Sequence, residues 1–144
     1  QPISVAVSDV DMLCAIAVVP DEAMELIERF LPGPVTVVLK AKSLLPPMLT
    51  GGGERIGVRI PAHEIALSLI SALDGPITAT SANLHGEKDP ATPAEVRVPH
   101  DLLIDGGRLP GTPSTVVDLV QWKVLRPGER VREVIACLAA RGAR

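Results

Sequence analysis

Ile56-Gly57-Val58-Arg59-Ile60-Pro61 is the stretch on which the fold turns. Successive side chains of a strand point to opposite faces, so Ile56, Val58 and Ile60 share one face and Gly57 and Arg59 the other. One face is branched aliphatic and belongs in a core. The other sets an arginine beside a residue with no side chain, which leaves that arginine space to reach a ligand. Pro61 closes the strand. Downstream, Glu64 to Leu73 stacks Ala66, Leu69, Ile70 and Leu73 at helical spacing, which predicts a helix with these four on its core face. Upstream, Val35 to Leu39 reads as a second strand, entered through the tight Pro32-Gly33-Pro34 turn. Before it, Pro20-Asp21 opens a helix with Ala23, Leu26, Ile27 and Phe30 on one side, stopped by Pro32. Lys42 to Glu54, with two prolines and three consecutive glycines, reads as a mobile loop. Ile3 to Val7 alternates like a strand, and Ser8-Asp9 caps a short helix towards Val18.

Beyond Leu73 the pattern stays mixed. Pro76-Ile77-Thr78-Ala79-Thr80-Ser81-Ala82-Asn83 starts as a short strand and ends by delivering Thr80, Ser81 and Asn83 in four positions. Small hydroxyl and amide groups at a strand end line a pocket without bulk, and ligands of open α/β sheets usually sit beyond strand ends. Thr92-Pro93-Ala94-Glu95 has the form of a helix start, with Thr as cap, Pro at the first position and Glu at the third. Leu102 to Asp105 reads as a short strand broken by Gly106-Gly107. Ser114 to Leu119 and Lys123 to Arg126 flank a tight connection and predict a hairpin ended by Pro127-Gly128. A last helix puts Val131, Val134, Ile135 and Leu138 on its core side. No linker or internal repeat interrupts the series. The expectation is one α/β domain over residues 1–144 with a twisted mixed sheet.

Composition narrows the function. At 144 residues the chain has room for one core. Apolar residues make up 47%, yet there is one Phe, one Trp and no Tyr, so the core is built from Val, Leu, Ile and Ala. So few rings argue against a stacking surface for single-stranded nucleic acid. A net charge of -3 provides no global field for a polyanion. Cys14 and Cys137 lie far apart and read as small hydrophobes in a reducing compartment. No apolar run approaches the ~20 residues of a membrane span, and no signal peptide is visible. The chain opens on Gln1 rather than Met, so sequence upstream of it is expected. Ser81 is outside any G-x-S-x-G, and Gly51-Gly52-Gly53 lacks the Lys-Ser/Thr of a phosphate loop. His63, His85, His100 and the two cysteines form no metal-ligand spacing, so no metal site is expected. What remains is Arg59, whose planar guanidinium suits a carboxylate, and the hydroxyl and amide groups of Thr80, Ser81 and Asn83.

Five motifs then follow one another in register. Pro32-Gly33-Pro34-Val35-Thr36, Gly57-Val58-Arg59-Ile60-Pro61, Ser81-Ala82-Asn83, Ser114-Thr115-Val116-Val117-Asp118 and Arg126-Pro127-Gly128 together resemble the YrdC-like family of threonylcarbamoyl-AMP synthases. The resemblance implies an enzyme that joins threonine, bicarbonate and ATP, the latter with Mg2+, into threonylcarbamoyl-adenylate and pyrophosphate. It implies an open concave site in which Thr36, Arg59, His63 and Ser81 bind threonine. Thr80, Ser81, Asn83, Ser114 and Arg126 would bind the nucleotide, and Asp118 would serve structure. Ala62 stands where the family commonly has an acid before the histidine. No catalytic side chain is assigned, since the work would be positioning.

Further implications are a cytoplasmic enzyme without membrane association, downstream tRNA-modifying proteins and weak contact with tRNA. The family's opening strand, helix and Lys-x-Arg segment are expected upstream of Gln1. Residues 1–144 alone should therefore turn over little and expose an apolar seam, through which a homodimer is expected. Two other readings stay open: a non-catalytic relative that binds nucleotide or RNA, and the YrdC-like domain of a carbamoyltransferase.

Overall fold

Alternation of branched aliphatic with small residues builds the centre of the molecule. The computed structural model describes residues 3–43 and 45–142. Its strands are β1 (Ser4–Ala6), β2 (Ala17–Val18), β3 (Val35–Ala41), β4 (Arg55–Arg59), β5 (Ile77–Ala79), β6 (Thr115–Asp118) and β7 (Lys123–Arg126). The helices are α1 (Val10–Ile16), α2 (Asp21–Phe30), α3 (Pro47–Thr50), α4 (Glu64–Leu73) and α5 (Val131–Gly142). The sheet order is β5-β1-β4-β3-β6-β7, with β2 paired to β3. β1 with β4 and β3 with β6 run parallel, and the remaining pairs are antiparallel. The α/β class and the mixed sheet are thus as expected.

One face of this sheet is the core. Val5, Val7, Val35, Val37, Leu39, Ile56, Val58, Ile60 and Val117 are buried there with Leu13 of α1, Leu26, Ile27 and Phe30 of α2, and Val134 of α5. Each fully buried Leu, Ile or Phe contributes about 1.5–3 kcal/mol. Asp9 caps α1 by accepting a 2.8 Å bond from the Met12 N–H. Cys14 and Cys137 are free, half-buried and packed against this core.

The opposite face is lined by small residues. Register places Ser4 beside Ala79, Ala6 beside Arg59, Val38 beside Gly57, Thr36 beside Val116, and Val116 beside Arg126. At its far end Arg55 donates to Asp118 at 2.6 Å, tying β4 to β6 across β3. Asp118 is 1% exposed, and its other oxygen accepts from the Val120 and Gln121 N–H groups, which forms the hairpin turn. Asp118→Asn keeps the turn acceptor and loses the ion pair. Because Arg55 stays partly in solvent, the expected cost is about 1.5 kcal/mol, the low end for a charged hydrogen bond. Urea unfolding measures it, and an unchanged midpoint would contradict a structural role for Asp118.

Several elements differ from expectation. Lys42 to Glu54 is not all loop: Pro47 sits at the start of α3, Thr50 donates to the Pro47 carbonyl, and Gly51 ends the turn at φ 63°. Within the α4 face only Ile70 is buried, while Leu69 and Leu73 are 47% and 63% exposed. With Ile65 they form an exposed stripe, because helical spacing fixes which residues share a side of the helix but not what covers it. Ile135 of α5 is likewise exposed. Leu102 to Asp105 forms no strand: it pairs with none of the strands of the sheet, so its alternation goes without ladder hydrogen bonds. The Thr92 motif yields a single 3-10 turn, Pro93–Glu95. The Thr92 side chain makes no cap bond, and Glu95 instead accepts from the Ala91 N–H at 2.9 Å. That bond first, then the Thr92 hydroxyl and then the nearby cations hold the Glu95 carboxyl below its usual range.

Candidate anion-binding site

The open face has its chemistry at the end marked by Thr36, Arg59 and Ser114. Gly57 is needed there. A Cβ on it would lie 3.2 Å from Ser4 Oγ and 3.4 Å from Thr36 Cγ2, so glycine keeps the floor low between two hydroxyl-bearing strands. Arg59, two residues on, stands on the same face and is half-buried. Its Nε is buried without a hydrogen-bond partner. Burial first, and then the charge of Arg126, hold its guanidinium below the usual arginine range. No carboxylate pairs with either arginine among the described residues. Two cations sharing a face without a counterion form a site suited to an anion.

Arg126 is fixed by the backbone. Its Nε and Nη2 donate to the Ser114 carbonyl at 3.2 and 2.9 Å, and Nη2 also donates to Ser114 Oγ at 3.1 Å. Ser114 Oγ in turn lies 3.1 Å from Thr36 Oγ1. The Pro127-Gly128 step makes this geometry. Gly128 passes so close to Pro113 and Ser114 that a Cβ on it would meet the Pro113 carbonyl oxygen and stand 2.7 Å from the Ser114 carbonyl. Fully buried Thr115 clamps the crossing: its Oγ1 accepts from the Gly128 N–H at 3.0 Å and donates to the Glu129 carbonyl at 2.7 Å.

The remaining candidates lie further out. Thr80 and Ser81 are exposed beyond β5, and no side-chain hydrogen bond joins them to the Arg59 group among the described residues. Asn83 spends its amide nitrogen on its own turn, donating to the Glu87 carbonyl at 2.6 Å and to Asp89 at 3.1 Å. Its side-chain oxygen is left as an acceptor. His63 opens α4 without capping it, and its ring lies against Gly106, where a Cβ would stand 3.1 Å from Cε1. His85 and His100 are exposed in loops. The structure thus joins Thr36, Ser114 and Arg126 directly and sets Arg59 near them. Ser4 and Thr115 are contributors that sequence reading misses. Alternation puts Ser4 on the open face, but nothing in its spacing names Gly57 as its neighbour.

No group of three His, Cys, Asp or Glu residues that could hold a metal occurs among the described residues. An open cleft of about 520 Å³ at the end of β3, lined by Lys40, Lys42, Thr50 and Gly52, contains none of the candidate residues. No described helix is long and apolar enough to cross a membrane.

Comparison with known proteins supplies relatives. The Sua5/YciO/YrdC family model, described as telomere recombination, matches residues 1–128. A threonylcarbamoyl-AMP synthase of Pyrococcus abyssi is 42% identical over 128 residues, 81% of this chain and 38% of the relative. One of Bacillus subtilis is 38% identical over 146 residues, 94% of this chain and 42% of the relative. Among solved structures, P. abyssi Sua5 complexed with L-threonine superposes with a TM-score of 0.84 at 38% identity, covering 94% of this chain and 43% of that one. The chain spans well under half the length of each of these relatives.

Proposed function

Because the chain belongs to the Sua5/YciO/YrdC family, we propose that it serves threonylcarbamoyl-AMP synthesis from threonine, bicarbonate and ATP. The observation that carries this reading is the uncompensated pair Arg59 and Arg126 on one small-residue face. The reaction requires a site for a carboxylate beside a site for phosphates.

In this reading Arg59 holds the threonine carboxylate, with Thr36, His63 and Ser81 around the amino acid. Ser114 and Arg126 take phosphate oxygens, and Thr80, Ser81 and Asn83 complete the nucleotide side. The free oxygen of Asn83 accepts from the amine. The amine adds to bicarbonate with loss of water, and the resulting carbamate oxygen attacks the α-phosphorus. The bond to the bridging oxygen breaks and pyrophosphate leaves with the electron pair. The protein contributes chiefly by holding the two charged reactants in contact, which removes much of the entropic barrier. Mg2+ enters with the ATP phosphates. Transfer of the product to tRNA by downstream proteins, weak tRNA contact and a cytoplasmic setting belong to the same reading. So does a homodimer.

The test is pyrophosphate release by the intact protein with each substrate omitted in turn. Release that needs threonine, bicarbonate and ATP together is expected. ATP hydrolysis indifferent to threonine would refute the assignment.

A further inference from the structure

Thr36 and Ser114 come from strands 78 residues apart in the chain and meet oxygen to oxygen at 3.1 Å. A hydroxyl has one hydrogen to give and two lone pairs to receive with. One lone pair of Ser114 Oγ is already taken by Arg126 Nη2, which can only donate. Between them the two hydroxyls hold two hydrogens, and one is consumed in their mutual bond. A single hydrogen is therefore left to offer outward. When Thr36 donates to Ser114, the outward hydrogen is on Ser114; when Ser114 donates to Thr36, it is on Thr36. Thr36 is 5% exposed and, among the described residues, has no other side-chain hydrogen bond that would hold its hydrogen in one direction.

We propose that the Thr36–Ser114 pair is a one-proton switch that couples the two sides of the anion-binding site. An acceptor arriving at Ser114, such as a phosphate oxygen, draws the outward hydrogen to Ser114. Thr36 must then donate to Ser114, which leaves its own two lone pairs free and makes it an acceptor only towards any other group. A ligand there is favoured when it brings a donor to Thr36, as an amino acid does with its ammonium or hydroxyl group. Its carboxylate is directed away from Thr36, towards Arg59. Two acceptors, one on each oxygen, would compete for the same hydrogen. The inference rests on the proposed function for the identity of the ligands, and on the geometry alone for the switch. Ser114 acts here as a positioning residue for the amino acid.

The expected result is a threonine affinity that rises roughly 3- to 10-fold when a non-hydrolysable ATP analogue saturates the intact protein, the effect of one hydrogen bond. Linkage requires threonine to tighten the analogue by the same factor. Ser114→Ala and Thr36→Val should each abolish the coupling, and Thr36→Ser, which restores the hydroxyl, should recover it. Calorimetry of threonine with and without the analogue reads all four proteins, and thermal unfolding verifies that each is folded. A coupling that survives in Ser114→Ala or Thr36→Val, or one absent or negative in the wild type, overturns the switch while leaving the proposed function standing. Failure of the wild type to bind threonine or the analogue would overturn both.

Discussion

Arg59→Ala is expected to weaken threonine binding roughly ten- to hundredfold while leaving thermal stability unchanged or higher. A charged hydrogen bond is worth about 1.5–3 kcal/mol, which sets the size of the binding loss. The second half of the prediction follows from what surrounds Arg59. Its Nε is buried without a partner, and its charge is opposed by burial and by Arg126. A cation whose folded-state pKa lies below its ordinary value costs the fold stability at every pH below that range, neutral pH included. Removing it relieves that cost. A structural arginine would behave in the opposite way, losing stability on truncation. Calorimetry and a melting curve on the same preparation check both halves, and unchanged threonine affinity would remove Arg59 from the site.

Gly128→Ala is the second large effect. No backbone rotation at one residue makes space for a methyl group facing the Pro113 carbonyl and 2.7 Å from that of Ser114, so the strands must part. Overpacking of this kind costs about 1–3 kcal/mol, and here the upper end is expected because the obstacle is backbone. The displaced crossing would carry Arg126 away from Ser114 and break the Thr115 clamp. ATP affinity should therefore fall further than stability alone explains. Arg126→Ala is the comparison: it should lose ATP affinity with little change in melting temperature. If Gly128→Ala melts like the wild type, the close crossing is not what fixes the arginine.

Legibility in the sequence followed the range of the interactions. The strand carrying Gly57 and Arg59 is readable because alternation is local and three buried partners all fall on one face. The α2 face is readable for the same reason, with Ala23, Leu26, Ile27 and Phe30 all buried. Periodicity shows that α4 has an apolar side but not whether anything covers it, so the exposure of Leu69 and Leu73 is not legible there. Leu102 to Asp105 has strand-like residues but joins neither edge of the sheet, β5 or β7, a matter of topology that local composition does not show. At Thr92, the motif does not show that the Glu95 carboxylate takes the Ala91 N–H while the Thr92 side chain makes no cap bond. In the site, the motif order announces Ser114 and Arg126 as neighbours along the hairpin. The contact of Ser114 with Thr36 depends on the parallel pairing of β3 with β6, which no local spacing reveals.

Strand β5 occupies the sheet's edge and, among the described residues, pairs with only one strand, through Ser4, Val5 and Ala6. Such a strand opens at far lower free energy than β3, which is flanked on both sides. Deuterium should therefore reach the amides of Ile77 to Ala79 long before those of Val35 to Leu39. Thr80, Ser81 and Asn83 hang from that loosely held strand. A nucleotide that engages them would have to quiet it, leaving a footprint of slowed exchange on β5 even though Ser114 and Arg126, proposed for its phosphates, lie at the opposite edge of the sheet.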